Sequence, residues 1–225
     1  MLSSLREAIG RASDVHAFID DAFENGCIYI LTEAYKRLKH GGNYERNWHE
    51  NTFTAHLVVY MEQVRDAIDI NLHIDPECYQ YFQEILKSNQ NPDRAPRIDI
   101  RIKGGWVRRD VHYAMEAKIL VEHNWSTRRA SESRKRYVQT GIDNFVAGTY
   151  SPIVTKGCLI GYIVEGHPIQ IQTAINEWLS SKNRSNEILQ NQHTVNDCDY
   201  CFHSSHIRDN DKKPLRLYHV FLAFP

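Results

Sequence analysis

Residues 113–120 read YAMEAKIL, an apolar run interrupted by Glu116 and Lys118. The run has the content of a buried strand. In a strand, residues two apart point the same way, so the acid and the amine share one face. A lysine is seldom buried without a partner. The pair therefore asks for a chemical reason, and its neighbours in sequence supply one.

Seventeen residues before Glu116 stands Asp99, inside RIDIRI (97–102), which alternates as a half-buried strand does. Lys103-Gly104-Gly105 opens a turn, so 97–121 reads as a β-hairpin that brings Asp99 opposite the Glu116 region. Two carboxylates at that range repel and raise each other's pKa unless a cation joins them. Magnesium suits such a pair: it prefers hard oxygens and takes one or two carboxylates plus water. The Ala117 carbonyl can add a backbone oxygen. Lys118 would then stand beside the metal-bound water, to orient it or to offset charge on a phosphate.

This D-x16-E-x-K arrangement resembles the PD-(D/E)xK, or restriction-endonuclease-like, nuclease superfamily. The matching residues are Asp99 and Glu116-Ala117-Lys118, and the likeness covers roughly 45–165. It departs at the first letters, where Pro96 stands three residues before Asp99 with no adjacent Pro-Asp pair, leaving Asp93 as a second candidate. The resemblance implies an α/β fold with a mixed sheet flanked by helices, magnesium or manganese as cofactor, and phosphodiester hydrolysis. It implies nucleic acid as substrate, DNA before RNA. It also implies a setting in restriction or anti-phage defence, as a homodimer or within a larger complex. A helix before the hairpin often adds a glutamate in that superfamily, which points to Glu50. A competing reading makes Asn47-Trp48-His49-Glu50 a capping box, with Glu50 bonding back to the backbone.

The expected layout is one domain. Residues 1–44 hold two helices, 3–24 and 28–39, with Asn25-Gly26 as the break. The core is 45–165, and 166–225 adds a helix, a polar loop over 182–213 and a last strand. Residues 70–82 are ambiguous because Pro76 interrupts them. No run is apolar enough to span a bilayer, and MLSSLREAIGRASDV lacks a secretory stretch, so a cytoplasmic protein without membrane partners is expected. Five scattered cysteines suit reduced thiols.

Charge is unevenly placed. Residues 1–95 carry 15 acids and 9 bases, whereas 101–136 carry 10 bases and 4 acids. A basic block can attract a polyanion in a nearly neutral chain. Arg128, Arg129, Arg134, Lys135 and Arg136 can grip phosphates beside the cut, or simply form a solvated helix face. Tyr137 is expected near the site. Cys198, Cys201, His203 and His206 have zinc ligand types, but four ligands within nine residues would strain the backbone, so zinc is not expected. Ser205-His206-Ile207-Arg208 reads instead as a polar loop. The alternative function keeps the fold as a catalytically inactive subunit that binds nucleic acid or a partner.

Overall fold

The computed structural model describes residues 12–79, 97–104, 112–150, 155–191 and 198–224, with side chains from residue 21 onward except residue 79. Among these described residues seven strands form one mixed sheet in the order β1-β2-β3-β4-β7-β6-β5. They are β1 (Leu72–Tyr79), β2 (Arg97–Gly104), β3 (His112–Val121), β4 (Lys156–Glu165), β5 (Gln190–Asn191), β6 (Cys201–Ile207) and β7 (Pro214–Ala223). The pairings β1-β2, β2-β3, β7-β6 and β6-β5 are antiparallel; β3-β4 and β4-β7 are parallel. The central parallel strands are buried on both faces, as the nearly unbroken burial of β3 and β4 requires.

Helices α1 (Ala12–Gly41) and α2 (Glu50–Ala67) cover one face. Their stripes, Ile28, Leu31 and Leu38 with Phe53, Leu57, Met61 and Val64, join Ile100, Met115, Ala117 and Ile160 in one core. On the other face a compound helix fills the β3-to-β4 crossover. It runs from α3 (Ala130–Arg136) through a π-helical stretch (Tyr137–Ile142) into α4 (Asp143–Val146). With α5 (Pro168–Ser181) it builds a second core around Leu120, Phe145, Leu159, Ile175 and Phe221. Among the described residues no helix is long and apolar enough to cross a membrane.

Three expectations change. The first helix does not break at Asn25-Gly26: α1 passes through both. A glycine inside a helix costs about 1 kcal/mol. Burying Cys27, Ile28, Ile30 and Leu31 just beyond it outweighs that cost. The ambiguous 70–82 stretch contains β1, and Pro76 is accommodated because β1 lies at the sheet edge, where one side of the strand needs no partner. The expected polar loop over 182–213 contains a 3₁₀ turn (Ser185–Glu187), β5 and β6. Polar residues enter β6 because a buried chain of hydrogen bonds receives them. Tyr137 Oη meets His219 Nδ1 at 2.7 Å, and His219 Nε2 meets Ser204 Oγ at 2.7 Å. Ser204 Oγ meets His206 Nε2 at 2.6 Å, and His206 Nδ1 reaches Glu187 at 2.7 Å.

Close packing on the second face depends on Gly141 in the π-helical stretch. A Cβ there would lie 2.3 Å from Leu159 Cδ2 on β4. Gly141→Ala is therefore expected to destabilise the protein by about 1–3 kcal/mol. Thermal unfolding checks this, with the midpoint falling by about 2–4 °C for each ~1 kcal/mol in a domain of this size.

Candidate functional site

The site forms where two strands part. β2 and β3 pair from Lys103↔His112 to Ile100↔Met115, and the paired register ends there. β2 continues against β1 to Arg97. It also turns over at this point: Ile100 packs in the first core and Ile98 in the second. Across from the turn, β1 carries Glu77 at φ 45°, in the left-handed region.

Beyond the fork, side chains replace the missing backbone partner of β3. Ala117 N donates to Asp99 Oδ2 at 2.7 Å. Ile119 N donates to Glu50 Oε2 at 3.1 Å. Glu116 and Lys118 are both 5% exposed and project together, as residues two apart must. Lys118 Nζ donates to Glu116 Oε1 at 2.5 Å, to the Ala117 carbonyl at 2.7 Å and to Glu50 Oε1 at 3.4 Å. Asp99, Glu116, Lys118, the Ala117 carbonyl and Glu50 thus come together from α2, β2 and β3.

Glu50 does not serve a capping box. α2 begins at Glu50 itself, His49 is the capping residue, and no side chain caps it. At the first helical position the carboxylate is free to reach β3, which it does.

Arg128 accounts for the placement of Glu50. Its guanidinium donates to the carbonyls of Arg46, Asn47 and Trp48 at 2.7, 3.2 and 2.6 Å. It also lies over the Trp125 ring, which Arg46 shares. So Arg128, expected to grip phosphate, has its donors engaged in fastening the segment that leads into α2. Arg134 turns toward the Glu122 carbonyl at 3.4 Å. Arg129 and Arg136 are exposed and line a cleft of about 630 Å³ together with His49, Glu50, Lys118 and Ser133. Lys135 is exposed and is not part of that lining.

Tyr137, expected near the acids, is buried and bonds His219 instead. The tyrosine at the site is Tyr150, which sequence reasoning missed. Its hydroxyl lies 2.9 Å from Glu116 Oε1 and 2.6 Å from the Thr140 carbonyl, and it accepts from Asn144 at 2.9 Å. Thr140 sits in the π-helical stretch. Such a stretch displaces carbonyls from the regular ladder and is frequent at functional sites. Asp93 lies outside the described residues.

Electrostatics oppose the ionised state of the acids. Burial pushes Glu116 up to about 7, against the pull of Lys118, and Asp99 adds to the rise. Burial likewise raises Asp99, while Lys118 and the Ala117 N–H hold it down. Burial acts to lower Lys118, but Glu116, Glu50 and Asp99 outweigh it and raise its pKa. One ammonium faces three carboxylates, and Glu116 Oε2 is buried without a hydrogen-bond partner among the described residues. These oxygens fit a hard divalent cation, which needs few protein ligands when waters complete its shell. Among the described residues no group of three or more His, Cys, Asp or Glu side chains is arranged to hold a metal ion by itself.

The cysteine–histidine cluster does not assemble. Within β6 residues alternate faces, so Cys201 and His203 point opposite to His206. Ser205, His206 and Ile207 belong to that strand rather than to a loop, and Arg208 is fully buried at its end.

No protein-family model matches the chain, and neither curated proteins nor solved structures yield a match.

The raised Glu116 value has a thermodynamic consequence. The unfolded carboxyl ionises near its model value of 4.5, the folded one at about 7. Its contribution to stability is complete below 4.5 and is lost as pH rises through 7. Relative to Glu116→Gln, the metal-free protein should therefore lose several degrees of melting midpoint from the bottom of that window to the top. Glu116→Gln should flatten the slope in thermal scans. Magnesium or manganese should raise the midpoint most at the alkaline end, where the carboxylates are ionised; a metal effect equal across the window would contradict the site.

Proposed function

We propose that the chain is a metal-dependent nuclease with a restriction-endonuclease-like core, hydrolysing phosphodiester bonds in DNA. One observation carries the reading. A buried lysine shares its ammonium with Glu116 and Glu50, with Asp99 across the fork, and Lys118 and Glu50 line the same cleft as Arg129 and Arg136. Among the described residues the run α2-β1-β2-β3-α3-β4 supports it, since it follows the α-β-β-β-α-β order of the superfamily whose motif the sequence resembles.

Magnesium or manganese, when bound, would supply Lewis acidity and a more acidic water. Asp99 and Glu116 would hold it, with the Ala117 carbonyl as an added oxygen and Glu50 as a further carboxylate. Lys118, already oriented by Glu116 and Ala117, would place its charge next to the scissile phosphate. Arg129 and Arg136 would hold neighbouring phosphates. Contacts of that kind position the backbone without reading its sequence. The likeness to restriction-type nucleases places the activity in restriction or anti-phage defence by analogy of fold alone.

A second reading has its own support. The 2.5 Å contact between Lys118 and Glu116 neutralises one carboxylate without a metal, as a catalytically inactive nucleic-acid-binding subunit would require. Cleavage assays separate the two. Purified protein is offered plasmid, single-stranded DNA and RNA with magnesium or manganese. Cleavage of DNA is expected. Asp99→Asn, Glu116→Gln and Lys118→Ala should each lower the rate by at least ~10²-fold, the order seen when a preorganised electrostatic group is removed. Their circular dichroism should stay native. Glu50→Gln should give a smaller loss. No cleavage with either metal would leave the binding subunit as the reading.

A further inference from the structure

The sequence Cys198-Asp199-Tyr200-Cys201 has no part in the cleft, yet it is a built feature. Asp199 and Tyr200 form a turn with one cysteine at each end. The ends of a four-residue turn lie within about 7 Å of each other, a span that overlaps the Cα separation of disulfides. The turn is fixed from both sides. Phe221 N donates to the Tyr200 carbonyl at 3.0 Å, Tyr200 packs against the His167 ring, and Cys201 pairs with Val220 on β7.

We propose that Cys198 and Cys201 form a reversible oxidation site, a dithiol that closes to a disulfide under peroxide. Cys198 is the attacking sulfur. It is half-buried beside an exposed residue at the turn tip, and Cys201 is buried behind it. The two thiols are also unequal in acidity. A hydrogen bond with Cys201 lowers Cys198 against the effect of burial, and the Tyr200 N–H and Lys36 add to the lowering. That same hydrogen bond and burial raise Cys201. Cys27, Cys78 and Cys158 are all raised by burial, so the thiolate forms first at Cys198.

The chemistry balances with peroxide as oxidant. The Cys198 thiolate attacks one peroxide oxygen, the O–O bond breaks, and hydroxide leaves, giving a sulfenic acid. The Cys201 sulfur, giving up its proton, displaces the hydroxyl from Cys198 as water. Two sulfurs lose two electrons and one peroxide becomes two waters. The closed ring spans few residues and restrains the unfolded chain little, which suits a reversible site better than a structural staple.

The test uses the reduced full chain treated with stoichiometric hydrogen peroxide, followed by mass mapping without reduction. The expected product is an internal disulfide joining Cys198 to Cys201, reversed by dithiothreitol. It should form several-fold faster in the folded protein than in urea. Cys201→Ser should leave a sulfenic acid at Cys198, trapped by dimedone, and Cys198→Ser should remove both products. Oxidation first at Cys78, a link from Cys201 to Cys158, or equal rates in folded and unfolded chains would each overturn the proposal. None of these readouts depends on nuclease activity.

Discussion

A strand that loses its neighbour must find other acceptors for its amide hydrogens. β3 meets this constraint at Ala117 and Ile119, past the point where β2 turns away. An unpaired buried N–H costs about 1–3 kcal/mol, so the vacancy draws in acceptors. Asp99 and Glu50 fill it with carboxylate oxygens. The fork thus converts a backbone deficit into two fixed acids. Because side chains alternate along β3, Glu116 and Lys118 stand on the same short segment, with the Ala117 carbonyl turned to the ammonium. Position, orientation and charge of the whole group follow from where β2 stops pairing.

Concentrating acids in this way has a cost, offset from three directions. Lys118 donates to two of the carboxylates and to a carbonyl. Tyr150 places its hydroxyl against Glu116, held in turn by Thr140 and Asn144. The N–H groups of β3 hold Asp99 and Glu50 in place. Even so, burial pushes Glu116 up to about 7 and leaves one of its oxygens without a partner among the described residues. The centre is electrostatically incomplete, in the sense that an added cation would relieve it. Arg128 works from outside the centre, fixing the loop before α2 so that Glu50 enters at the right height.

Much of this was legible in the sequence, and the exceptions have physical causes. The alternation of RIDIRI and the apolar run around Glu116 and Lys118 report strands directly, since period two is a local property. Asp99 and Glu116 could be brought together because a hairpin links them. Tyr150 could not: it reaches Glu116 across a helix whose π-helical irregularity leaves no mark in residue spacing. Arg128 looked like its basic neighbours, because composition does not show which guanidinium will find backbone carbonyls. Gly26 carried a stop signal that the stripe around it overrode. β6 was hidden because Ser204 and His206 are polar residues on an inward face, satisfied by His219 and Glu187 far along the chain.

That buried chain in β6 and β7 does more than hide a strand. His219, Ser204 and His206 face inward only because β6 pairs with β7 as Phe202↔His219 and Ser204↔Leu217. Shifting β6 by one residue would turn its side chains over. Phe202 would face out, while Ser204 and His206 would leave Tyr137, His219 and Glu187 with unmatched polar atoms in a dry interior. Apolar strands tolerate such slips more readily, because one hydrocarbon contact resembles another. The hydrogen-bonded run therefore acts as a key cut for a single alignment: it discriminates among near-equal ways of adding the last strands to the sheet, and it makes the wrong ones expensive.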